Sequence, residues 1–172
     1  MQRSITRQLS VANFIGGTTK QFEFDMKGRA RHASSPPAIK CGGTIKQRKL
    51  VERLVEWCFT KLTPRHRTIT VNVELTKDID IDGECSKGGE RNEFDLVINK
   101  KLTGDDFLVT IFHEMVHVMQ YAKGIMKDLN QDGTKVYWRG YDYSNYQYRR
   151  QPWERQAYRM QEILLRDWKK IC

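Results

Sequence analysis

The 172-residue sequence predicts an α+β domain. Three stretches carry apolar residues at helical spacing: 47–62, the segment between Gly104 and Gly124, and a run from Pro152 onward. Two runs rich in β-branched residues, 68–75 and 93–99, lie between the first and second of them. The order helix, strand, strand, helix, helix does not alternate as a doubly wound α/β chain would. A small twisted sheet packed on helices is the expected architecture, and the length suffices for one real core.

Taken from the start, residues 1–40 lack helical periodicity. Lys20-Gln21-Phe22-Glu23-Phe24-Asp25-Met26 alternates apolar and polar and predicts one strand. Ser34-Ser35-Pro36-Pro37 reads as a linker. The expected organisation is therefore an N-terminal arm, 1–40, and a folded domain, 41–172. In the first helix Leu50, Val51, Leu54, Val55, Cys58, Phe59 and Leu62 share one face, and Thr63-Pro64 ends it. The strand Thr68–Leu75 follows, then the strand Glu93–Asn99, directly before the second helix.

Asp78-Ile79-Asp80-Ile81-Asp82-Gly83 resembles the opening of a calcium loop, with acids at positions 1, 3 and 5 and glycine at 6. Position 12 falls on Gly89, where a bidentate glutamate is needed, so an acidic turn between strands is expected. Lys127–Gly133 reads as a loop and Thr134–Tyr141 as a strand or hairpin arm. The segment to Arg150 is dense in tyrosine and arginine, which suits the wall of a cleft. Pro152 suits the first position of the last helix, which carries Trp153, Ala157, Met160, Ile163, Leu164 and Trp168.

Charge separates the arm from the rest. Of the net +9, residues 1–50 hold +8, with +5 of it in the arm itself, and residues 51–172 hold +1. Such an arm suits contact with nucleic acid, another polyanion or an assembly partner; the alternative is a solvated tail that keeps the protein soluble. No apolar run approaches the length of a membrane helix, so no membrane partner is expected. Met1-Gln2-Arg3-Ser4 leads into no apolar core, which argues against secretion by a signal peptide. Cys41, Cys58, Cys85 and Cys172 form no Cys-x-x-Cys pair and read as ordinary thiols of a reducing compartment.

The chemistry concentrates in Thr110-Ile111-Phe112-His113-Glu114-Met115-Val116-His117-Val118-Met119. Residues four apart share a helix face, so His113 and His117 can turn imidazole nitrogens toward one metal ion. Glu114 lies roughly 100° further around, where a carboxylate flanks a metal rather than binding it and can take a proton from water on the metal. Glu114 is the one charged residue from Phe107 through Tyr121. Burying two imidazoles and a carboxylate on so apolar a helix is costly without a partner, and a metal is the most economical one.

A catalytic zinc takes three protein ligands. No histidine follows His117; His32 and His66 lie far upstream. Glu154 opens the last helix, where the dipole holds a carboxylate well. Ala157 is small enough for close approach, and Gln151 is a poor capping residue. Asp142 is the next candidate, followed by Asp128 and Asp132.

His113-Glu114-x-x-His117 followed by Glu154-x-x-Ala157 resembles the gluzincin branch of zinc metallopeptidases. The small size is similar to that of its minimal members, the minigluzincins, and of compact zincin-like proteins of bacteria and bacteriophages. The resemblance covers about residues 47–170. SprT-like proteases are a weaker match, since they take a third histidine downstream and this chain has none. The resemblance implies a minimal zincin fold, a Zn2+ cofactor held by His113, His117 and Glu154, and hydrolysis of a peptide or protein substrate with Glu114 as base. It implies a tyrosine donor to the oxyanion from 137–148, with Tyr141, Tyr143 and Tyr146 indistinguishable, and a substrate along the edge of strand 93–99. It places the protein in the cytoplasm or a virion. The alternative is a zincin-fold assembly or nucleic-acid-associated component anchored by its arm, with little or no proteolysis.

Overall fold

The structure is a computed structural model and describes residues 23–24, 30–31, 38–63, 68–128 and 135–172. The chain forms two compact units, Met1–Ser34 and Ser35–Cys172. In the first, β1 (Glu23–Phe24) pairs antiparallel with β2 (Ala30–Arg31). The expected strand over 20–26 is present as β1; its remainder lies outside the described residues.

The second unit is a mixed α+β fold. It runs β3 (Ala38–Cys41), α1 (Ile45–Leu62), β4 (Thr70–Thr76), β5 (Gly83–Lys87), β6 (Glu93–Asn99), α2 (Gly104–Ala122), β7 (Met126–Asp128), β8 (Val136–Trp138), β9 (Tyr141–Asp142), a 3-10 turn (Tyr148–Arg150) and α3 (Pro152–Trp168). The expected boundary after residue 40 falls inside β3. Ala-Ile-Lys-Cys is too short to show a period, yet it lies parallel to β4 with Ile39 opposite Val71.

α1 begins at Ile45, two residues before its apolar pattern, because Thr44 caps it. The Thr44 hydroxyl accepts from the Gln47 amide, and the Gln47 side chain accepts from the Thr44 amide, a complete capping box. Six of its seven expected face residues are buried; Leu50 is exposed.

The main sheet has the order β3-β4-β6-β5. β3, β4 and β6 are parallel, and β5 is antiparallel to β6 at the edge. β6 therefore has no free edge, contrary to the expectation that it could receive a substrate strand; β5 holds that edge. Val71 and Val73 of β4 and Phe94, Leu96 and Ile98 of β6 turn to the core, where their alternation predicts. α1 packs on β3, and α2 on β5 and β6. Trp168 of α3 closes the cluster against Trp57 and Phe112, with ring centroids 5.3 and 6.3 Å away.

β7, β8 and β9 form a second small sheet. β7 occupies the start of the stretch expected as loop. The β8–β9 turn has Arg139 at φ 52° and Gly140 at φ 88°, the left-handed pair that a two-residue hairpin needs. Among the described residues, no helix is long and apolar enough to cross a membrane.

Candidate metal centre

α2 is buried almost all round, and Thr110 through Gln120 are all buried. α3 packs closely on it through Ala157, which is fully buried. Pro152 starts α3, no side chain caps its N-terminus, and Glu154 stands in its first turn, turned inward and buried. Two helices thus bring His113, His117 and Glu154 together.

The distances are short. His113 Nε2 lies 3.1 Å from His117 Nε2. Glu154 Oε2 lies 3.3 Å from His113 Nε2, and Glu154 Oε1 lies 3.4 Å from His117 Nε2. Among the described residues these three form the one group of His, Cys, Asp or Glu able to hold a metal ion, with one donor atom each within 4.8 Å of the others.

The surrounding amides fix the tautomers. Gln120 Nε2 donates to the Trp153 carbonyl and to Gln156 Oε1, both at 3.0 Å. A carbonyl only accepts, so Gln120 Oε1 must face His117 Nδ1, 2.8 Å away, and His117 donates there. Gln161 Nε2 lies 3.4 Å from Glu162 Oε1, which leaves Gln161 Oε1 to accept from His113 Nδ1 at 2.7 Å. Both rings therefore carry a proton on Nδ1, and in its neutral form each presents an Nε2 lone pair to the other. Glu154 Oε2 adds a further acceptor, buried and without a hydrogen-bond partner. Converging acceptors in a buried site need a cation between them. A proton can bridge one pair; a metal ion serves all, and the donor set fits one.

The electrostatics follow the crowding. Burial opposes charging His113, yet the Glu154 and Glu114 carboxylates outweigh it and raise its pKa. His117 is lowered by burial, with His113 adding to the effect. Burial alone would raise Glu154, but the two histidines and Tyr148 bring it below the usual carboxylate value. Glu114 is pushed up to about 7, first by burial and then by Glu154 and Glu84, against the opposing pull of His113.

Glu114 is held in place by an absence of bulk. A Cβ on Gly83 of β5 would lie 2.7 Å from Thr110 Cγ2 and 3.1 Å from Glu114 Oε1. Only glycine lets β5 pass this closely over the helix. Together β5, α2 and the start of α3 enclose a cleft of about 690 Å³, with His113, Glu114, His117 and Glu154 on its wall.

The tyrosines sort by position. Tyr141 and Tyr146 are largely exposed, Tyr143 packs on Tyr146 and Trp153, and none of the three lines the cleft. Tyr148 does, although it is 55% exposed; partial burial and the nearby Glu154 carboxylate push its phenol up. Asp142 is exposed and caps a turn through Ser144, so it is no ligand here. Asp128 lines the cleft but accepts from the Tyr121 hydroxyl. His32, His66 and Asp132 lie outside the described residues.

Sequence reasoning missed Gln120, Gln161, Tyr148 and the whole of β5. For Gln120 a signal existed: one neutral polar residue, three positions after His117, on an otherwise apolar helix. Gln161 falls two turns along α3 from Glu154, on the same face. No protein-family model, curated protein or solved structure matches the chain.

Proposed function

We propose that the chain is a zinc-dependent metallopeptidase of the gluzincin type that hydrolyses peptide bonds. The observation that carries this reading is the convergence of two imidazole Nε2 atoms and the Glu154 carboxylate beside Glu114, on the wall of a cleft bordered by the edge strand β5. Two imidazoles and a carboxylate make the donor set of a catalytic zinc that keeps a position open. His113, His117 and Glu154 would hold the ion, with Gln161 and Gln120 fixing the rings. When bound, zinc supplies Lewis acidity, acidifying water and polarising the scissile carbonyl.

The remaining roles fall to this chain's own residues. Glu114, buried beside the two histidines on the cleft wall, takes a proton from the attacking water and later delivers it to the leaving amine. Tyr148 lines the cleft with a hydroxyl that can donate to the developing oxyanion. The outer edge of β5, unpaired among the described residues, offers backbone groups to an extended substrate.

The test is a broad peptide-cleavage screen with a chelator control. Cleavage is expected, lost with chelator and regained with zinc. Glu114→Gln should retain zinc and lose about a hundredfold or more in rate. Glu154→Ala should weaken zinc binding far more than the same change at exposed Glu162, two turns along α3. Chelator-resistant cleavage, or an active Glu114→Gln protein, defeats the reading.

A further inference from the structure

One end of the cleft has chemistry that the metal centre does not use. Tyr121, Met126, Val136 and Trp153 line it; Met126, Val136 and Trp153 belong to a small apolar cluster that Tyr121 links to the main core. Asp128 shares a face of β7 with Met126 and sits opposite Val136 in the ladder. Its side chain is 20% exposed and accepts from the Tyr121 hydroxyl at 2.5 Å.

This end already holds an ammonium. Gly83, Cys85 and Lys87 alternate onto the α2 side of β5, and Lys87 reaches down at the far end. Its Nζ lies 5.0 Å from the Tyr121 ring centroid, 3.3 Å from the Asp128 carbonyl and 4.0 Å from Asp128 Oδ2. Apolar walls, a ring face, a carbonyl and a carboxylate are the complement of a long side chain with a cationic head. Lys87 fills the place loosely: its side chain is 45% exposed and its carboxylate contact is at the limit of an ion pair.

We infer that this end of the cleft is a subsite for a lysine or arginine side chain of the substrate, read by Asp128, with Lys87 as an intramolecular competitor that the substrate displaces. The assignment rests on the peptidase reading and adds a substrate class to it. The stem of the incoming side chain lies against Tyr121, Met126 and Trp153, and its cation meets the Asp128 carboxylate. A neutral side chain of equal length gains the apolar contact and forgoes the charge-assisted hydrogen bond.

The experiment uses the full chain carrying Glu114→Gln, loaded with zinc. Peptides identical except for one lysine or one norleucine, placed at each position in turn, are titrated by calorimetry. At one position lysine should bind about tenfold to a hundredfold more tightly than norleucine. Asp128→Asn, which keeps an oxygen for the Tyr121 hydroxyl, should abolish that preference. Lys87→Gln should tighten lysine peptides several-fold and leave norleucine peptides unchanged. Equal binding of the two series, no binding of either, or a preference that survives Asp128→Asn overturns the assignment. A lysine preference lost in Asp128→Asn, in a parent that cleaves no peptide, keeps the subsite and defeats the peptidase reading. Cleavage without discrimination does the reverse.

Discussion

Gln120 Oε1 lies 2.8 Å from His117 Nδ1, and the other end of the same amide reaches the Trp153 carbonyl, so one fully buried side chain ties a candidate metal ligand on α2 to the helical turn that presents Glu154. Gln120→Leu removes the acceptor that fixes the ring and strands the Trp153 carbonyl. Metal affinity should fall about tenfold to a hundredfold. Stability should fall by about 1–3 kcal/mol. Competition with a chromophoric chelator and urea denaturation measure the two. An unchanged affinity would show that the amide does not orient the ring.

Tyr148 is the one tyrosine of the 137–148 segment that lines the cleft. Tyr148→Phe should lower kcat by about a hundredfold while metal content stays the same. Tyr141→Phe and Tyr146→Phe should stay near the parent, because neither side chain lines the cleft. Kinetics on all three variants settle the assignment, and a large loss at Tyr141 or Tyr146 would reverse it.

Gly83→Ala places a methyl group against Thr110 and the Glu114 carboxylate. Either β5 lifts or Glu114 shifts. The cost should be about 1–3 kcal/mol in thermal or urea unfolding, with activity reduced as well. Gly89→Ala, with nothing within 4 Å of the added atom, is the control and should unfold like the parent.

Glu93 gives the pH dependence. Asn72 donates to it at 3.0 Å and the Glu90 amide at 3.1 Å, and these bonds hold its pKa below the ordinary 4.5. The folded state then binds its proton less readily than the unfolded chain. The stabilisation is complete above pH 4.5 and is lost as pH falls through the lowered value. Glu93→Gln keeps an acceptor and cannot titrate. Urea midpoints at neutral and acid pH should converge less for the parent than for Glu93→Gln, the parent losing more on acidification.

The parts legible in sequence are those whose burial leaves a period. α1, α2, α3, β4 and β6 each bury one face or are wholly buried, and the spacing of Val, Leu, Ile and Phe records it. The His-Glu-x-x-His spacing is local to one helix, so it too could be read. β5 could not: Gly-Glu-Cys-Ser-Lys carries no apolar alternation, because its inward positions hold a glycine, a cysteine and a lysine shaped by the cleft. The choice among tyrosines was equally hidden, since Tyr141, Tyr143, Tyr146 and Tyr148 differ only in where the second sheet and the 3-10 turn carry them. Glu154 stood between these cases: its inward turn follows from Ala157 and the absent cap, both visible, but its distance from α2 depends on packing.

The free edge of β5 also bears on how the protein avoids itself. An unpaired strand that can accept an extended peptide can as readily accept the same strand of another molecule and begin a ladder. β5 is five residues long, starts with glycine, and sets the exposed charges of Glu84 and Lys87 along its length. Charge and brevity of this kind oppose strand-to-strand pairing of two copies, and replacing both charges with apolar residues should favour aggregation through this edge.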